Sequence, residues 1–145
     1  TIKKEVRETI KATYQVAEES AEYNLEENET VEEAIARLTD EMIKALAARG
    51  GVTGLNFAKD FINDKADVSY VDDIVKHALH IIEVGGIDVL AFGTDFDGIE
   101  RNTEVDNASQ MQVFYQKFKD AGLSDNDIEK IFYKNFLRVF EKVCG

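Results

Sequence analysis

Two short apolar runs, residues 51–57 (GVTGLNF) and 87–93 (IDVLAFG), flank a stretch with helical periodicity, and this order constrains the fold more than any other feature. Each run stands at a glycine pair, Gly50-Gly51 and Gly85-Gly86, and is rich in β-branched and apolar residues. Both read as short buried strands. Between them Val71, Ile74, Val75, Ala78, Leu79 and Ile82 recur at helical spacing, so a helix starting within residues 67–73 is predicted to reach Gly85-Gly86. Strand, helix and strand in this order predict a right-handed parallel βαβ unit.

Helices dominate the rest. Ile2, Val6, Ile10, Tyr14, Ala17 and Ala21 share one face of a predicted amphipathic helix. A second stripe, Val31, Ala34, Ile35, Leu38, Met42 and Leu46, follows a Thr30/Glu33 capping box and is predicted to run as one helix to Arg49. Two more helices are expected over residues 108–121 and 125–143, the latter opened by Ser124 with Asp127 as its partner. The expectation is one α/β domain over residues 1–145, helix-rich with a short, mainly parallel sheet. Its predicted core holds Val52, Leu55, Phe57, Ile87, Val89, Leu90 and Phe92, with Ile128, Ile131, Phe132, Phe136, Val139 and Phe140 of the last helix packed on the sheet. Phe114 and Tyr133 are read as packing residues.

Charge and composition exclude several classes of function. The formal net charge is −12, from 29 acidic against 17 basic residues, which repels phosphate backbones and anionic membranes. No nucleic acid or membrane partner is expected. No apolar stretch approaches the ~20 residues that span a bilayer, and the N-terminus lacks the apolar core of a signal peptide. The single cysteine, Cys144, forms no internal disulfide and fits a reducing compartment, so a cytoplasmic location is expected. Proline is absent, where average usage is about 5%. That absence hints at an edited sequence.

The second run leads into AFGTDFDG, residues 91–98, which places Asp95 and Asp97 where a strand meets a glycine turn. A D-x-D-G block after an apolar strand is similar to the nucleophile motif of haloacid-dehalogenase-like phosphatases. In those enzymes, however, the motif opens the domain, and here Gly93 and Thr94 interrupt the apolar run. A calcium loop fits less well, because no glycine stands at the sixth position counted from Asp95. His77 and His80 share one helix three residues apart and could reach a common metal, but no third ligand stands near them in sequence. They are read as surface or core-edge histidines, and no serine sits in a nucleophile elbow to make a triad with them.

Three blocks then agree in order and spacing: LTDEMIKALAARGGVTGLNF from Leu38, VDDIVKHALHIIEVGGIDVLAFGTDFDGIE from Val71, and AGLSDNDIEKIFYKNFLRVFEKV from Ala121. Together residues 38–145 resemble the C-terminal portion of the membrane (renal) dipeptidase family of zinc peptidases. The resemblance implies the last part of a (β/α)8 barrel, in which two bridged zinc ions activate a water for attack on a dipeptide. It also implies that Asp95, the first acid of the block, handles protons for the attack and for the leaving amine. Asp97 with Gly98 is read as shaping the turn.

The departures are equally specific. The family's zinc ligands lie upstream of the matching region, and neither His77 nor His80 falls on a ligand position, so no metal site and no cofactor is expected for this chain. The tyrosine that follows N-F in the family is Ala58 here. A carboxylate-binding arginine is matched only by Arg37, with one residue missing after it, and helical spacing turns Arg37 toward solvent. Residues 1–37 are read as helical pieces outside the family. The chain therefore reads as a truncated, recombined or engineered derivative of a dipeptidase barrel without catalysis alone. The alternatives are one fragment of a two-chain dipeptidase completed by a complementing barrel half, or a scaffold that self-associates through its strand edges.

Overall fold

The computed structural model describes residues 39–63, 66–100 and 102–145. Helix α1, Asp40–Ala48, opens at Thr39, whose extended backbone lets its hydroxyl accept the Met42 N–H at 3.3 Å. Asp40 and Glu41 in the first turn complement the positive end of the helix. The continuous helix predicted over residues 31–49 is thereby corrected: its apolar stripe runs on, but the chain leaves helical geometry at the Thr39 cap. The predicted helix over residues 2–21 and the Thr30/Glu33 box lie outside the described residues.

Strand β1, Thr53–Leu55, is followed by one helical turn, α2, Lys59–Ile62, and then by α3, Val71–Gly85. Helix α3 begins at Val71, whose N–H finds a distant acceptor. The Glu104 carboxylate takes the Val71 N–H at 2.8 Å, while Ser69 bridges Thr103 in parallel through backbone bonds to Asn102 and Glu104. After Gly86 a 3-10 turn over Ile87–Val89 leads into β2, Leu90–Phe92. The predicted second strand is shorter than expected, because the paired stretch begins only where Leu90 meets Thr53. Val52 and Ile87 precede that stretch and stay half-buried.

The two strands pair in parallel, Thr53 with Leu90, Gly54 with Ala91 and Leu55 with Phe92. Helix α1 packs on α3, where a Cβ at Gly85 would fall 2.7 Å from Ile43 Cγ2. The core is aromatic: Phe57, Phe114 and Phe118 are fully buried, and Phe92 meets Phe57, Phe114 and Phe132 at centroid distances of 5.9, 5.3 and 5.0 Å. Each such ring contributes roughly 1.5–3 kcal/mol by leaving water. Phe114, expected as packing, sits at its centre on α4, Gln112–Asp120. No helix among the described residues is long and apolar enough to cross a membrane.

The C-terminal helix runs without a break through α5 (Asp125–Glu129), a π-helical turn (Lys130–Lys134) and α6 (Asn135–Cys144). Ser124 opens it as expected, accepting the Asp127 N–H at 3.2 Å and donating to the Asp127 carboxylate at 2.6 Å. Ile128 and Ile131 face the sheet as predicted. Phe136 and Phe140 do not: they are 56% and 53% exposed and stack on each other at 5.9 Å. Val139 is half-buried, and Tyr133 is exposed rather than packed. The inward face continues instead through two polar residues. Asn135, 2% exposed, donates from Nδ2 to the carbonyls of Ile87 and Leu90 at 2.7 and 2.8 Å. Arg138 donates to the carbonyls of Gly50 and Asp88 at 2.6 and 2.8 Å. These groups satisfy carbonyls at the entrances to both strands that the strand pairing leaves without partners.

Two substitutions separate this buried anchor from surface charge. Asn135→Ala removes both bonds and opens a void, so it is expected to lower unfolding free energy by about 2–4 kcal/mol in urea titration. Lys117→Ala, which removes an exposed pair with Asp72, is expected to leave the urea midpoint in place.

His77 and His80 lie on α3 beside a hollow of about 420 Å³ lined by Ile62, Asn63, Asp73, Lys76 and both imidazoles. His80 Nε2 is 2.8 Å from Asp40 Oδ1, which ties α1 to α3. Burial, and secondarily the neighbouring His80, hold the His77 imidazole below its ordinary 6.5. A base whose folded pKa is lowered makes the unfolded state bind more protons between the two values. Its contribution is therefore intact above 6.5 and is lost as pH falls through that window. Unfolding free energy should drop on acidification from pH 7 to 5, and His77→Gln should flatten that drop when both are followed by urea titration across the range.

Candidate active site

The parallel register carries both strands to the same end of the sheet. Past Leu55 and Phe92 the pairing persists, with the Gly93 N–H on the Leu55 carbonyl at 3.2 Å and the Phe57 N–H on the Thr94 carbonyl at 3.4 Å. Asn56 and Asp95 are thus set side by side at the C-terminal ends of the strands. In α/β barrels this is the end where reacting groups are gathered.

Asp95 is the only non-glycine residue with positive φ among the described residues, at 61°. Left-handed backbone costs energy for a residue with a Cβ, and aspartate tolerates it through its short hydrogen-bonding side chain. The Asp95 carbonyl accepts the N–H groups of Gly98 and Ile99 at 2.9 and 3.2 Å, which closes the turn over residues 96–98. Its carboxylate is exposed and turned back toward β1, where Oδ2 accepts from Asn56 Nδ2 at 3.1 Å. Oδ1 lies over Gly98, and a Cβ at that position would collide with it. Phe96 anchors the turn through an edge contact with the buried Phe57 ring at 5.7 Å.

Asn56 is itself fixed. Its Oδ1 accepts the Ala58 N–H at 2.8 Å, which assigns the amide so that the NH2 group faces Asp95. Sequence reading singled out Asp95 and passed over Asn56. The signal was present in the N-F that ends the first run, but using it required the strand register.

Asp97 occupies the exposed turn, where the sequence placed it. Arg37 lies outside the described residues. His77 and His80 stand on α3, and Asp95 lines neither the hollow beside the histidines nor a second one of about 220 Å³ lined by Ala47, Gly50, Gly51, Gly85, Asp88, Val89 and Arg138. The described residues do not fit a metal centre: no three of their His, Cys, Asp and Glu side chains are gathered to hold an ion, and His80 Nε2 is engaged with Asp40. What the site offers is one oriented carboxylate, open to water, capable of taking and giving a proton.

Comparison with known proteins gives this geometry a context. The model of the membrane dipeptidase family, peptidase family M19, matches residues 8–144. The match reaches back across residues 8–37, which the motif blocks had left outside the family. Among relatives, an uncharacterised dipeptidase of Schizosaccharomyces pombe is 31% identical over 126 residues, covering 85% of this chain and 29% of its own length. The dipeptidase ataJ of Aspergillus terreus is 33% identical over 108 residues, with 73% and 26% covered. An uncharacterised Klebsiella pneumoniae protein encoded in the pqqA 5′ region is 32% identical over 111 residues, with 73% and 40% covered. The chain therefore matches no more than 40% of the length of these relatives.

Two solved structures share the fold at 21% identity, each over 75% of this chain and 32% of the other. They are the dipeptidase AC, at a TM-score of 0.67, and a Rhodobacter sphaeroides metallopeptidase bound to a phosphinate mimic of L-Ala-D-Ala, at 0.68. The helix-rich architecture around a short parallel sheet is that of the last part of a (β/α)8 barrel, and the chain belongs to the membrane dipeptidase family, M19.

Proposed function

We propose that this chain supplies the last two strands of a dipeptidase barrel, with Asp95 as the carboxylate that handles protons, and that it hydrolyses no peptide alone. The observation that carries this reading is Asp95 itself, held in left-handed backbone at the C-terminal strand ends with its carboxylate oriented by Asn56. A carboxylate so placed can accept a proton from an attacking water and return it to the departing amine. The family's zinc would polarise the carbonyl and lower the pKa of that water when bound, but the described residues do not form its site. Arg37 is the candidate contact for a substrate carboxylate.

The sheet supports a complementing barrel half as partner. Two parallel strands with one pairing between them leave an outer edge on each, and parallel strands are ordinarily paired and covered on both sides. Self-association is the second reading, favoured by the exposed Tyr133, Phe136, Leu137 and Phe140 on the C-terminal helix. We infer a cytoplasmic setting from the lone exposed Cys144.

Assay of dipeptide hydrolysis with added zinc is expected to show none for the chain alone. Zinc-dependent activity is expected once a polypeptide carrying the preceding strands of a related barrel is added. Asp95→Asn in this chain should then reduce kcat/KM by roughly 10²–10⁴-fold. Hydrolysis by the purified chain alone, with zinc bound stoichiometrically, contradicts the proposal. Sedimentation at several concentrations distinguishes self-association, which predicts mass rising with concentration.

A further inference from the structure

We propose that Asn56 is the positioning residue for Asp95. It holds Oδ2 of the carboxylate through its amide and leaves Oδ1 as the oxygen presented for proton transfer. The inference rests on the reading of Asp95 as a proton-handling group, and its geometric half stands apart from that reading.

Three features make the contact a built one. The Asn56 amide cannot turn over without cost, because its Oδ1 already takes the Ala58 backbone N–H at 2.8 Å and a flip would set two donors against each other. Its NH2 group is thereby committed to Asp95 Oδ2 at 3.1 Å, across 39 residues of sequence. The main chain on both sides is fixed as well: Phe57, the residue after Asn56, is fully buried, and Asp95 is locked in its turn by the two bonds to its carbonyl. Gly98 completes the arrangement, since any Cβ there would strike Oδ1. A short carboxylate on strained backbone has few orientations open to it, and one bond from a fixed donor selects among them. Misplacement of a reacting group by about 1 Å can lower a rate by two orders of magnitude, so a donor that fixes orientation acts on kcat.

Asn56→Ser is the discriminating substitution. Its hydroxyl oxygen can still accept the Ala58 N–H, while the side chain stays uncharged and no longer extends an amide donor to Asp95, so a role for Asn56 confined to its own turn would leave turnover unchanged. In the zinc-loaded assembly of this chain with the complementing barrel part, kcat is expected to fall by about tenfold or more with KM within about twofold. Turnover equal to that of the parent overturns the proposal.

A second measurement needs no activity. In the chain alone, the side-chain amide resonances of Asn56 should shift with pH in one transition that vanishes in Asp95→Asn and persists in Asp97→Asn. Resonances that ignore pH, or a transition that survives Asp95→Asn, overturn the proposal. If the assembly hydrolyses nothing while the amide follows Asp95, the reading of the chain as a dipeptidase part fails and the Asn56–Asp95 coupling stands.

Discussion

The parallel register of β1 and β2 is the constraint on which the other features depend. Pairing Leu55 with Phe92 sets Asn56 beside the segment that leads to Asp95, and it brings Phe57 against Phe92 and Phe96 in the aromatic core. A slip of one residue would reverse every side chain of one strand. Phe57 would then leave the core, and Asn56 would lose the Asp95 carboxylate. The same few backbone bonds therefore fix the packing and the chemistry.

A two-stranded parallel sheet is a weak object by itself, and the helices stabilise it by different means on its different sides. Phe114 and Phe118 of α4 and Ile128 and Ile131 of the last helix bury apolar surface against it. Asn135 and Arg138 act on the backbone, donating to the carbonyls of Ile87, Leu90, Gly50 and Asp88 at the entrances to both strands. Those entrances lie opposite the Asp95 end. Polar anchoring of the backbone is thus gathered at one end of the strands, while the other carries an exposed carboxylate on a turn pinned by the Phe96–Phe57 contact, and barrel enzymes likewise keep their reacting groups at that second end.

Patterns of hydropathy and turn residues revealed much of this architecture. The βαβ order, the glycine pairs, the Ser124 cap and the family blocks were legible because each rests on local chemistry. Three features were not, and each depends on contacts distant in sequence. The start of α3 is set by Glu104, 33 residues away, rather than by a cap of its own. Phe136 and Phe140 were assigned inward on hydrophobicity, yet the inward face belongs to Asn135 and Arg138, whose polarity concealed backbone partners in another part of the chain. Asn56 looked like the end of a strand until the register placed it against Asp95. Membership of the dipeptidase family was readable from order and spacing, but its reach back to residue 8 was not, since residues before Leu38 carry none of the quoted blocks.

This chain, without further strands, already sets Asn56 against Asp95. Amide hydrogen exchange of the isolated chain tests this most directly, read at the N–H groups of Gly93 and Phe57, which bond to Leu55 and Thr94 across the strand ends. Protection approaching that of the core helices, with both amides opening only on global unfolding, is the predicted result. Exchange at the rate of an unstructured peptide while α3 stays protected would show that the strand ends part without the rest of a barrel, and would contradict the account.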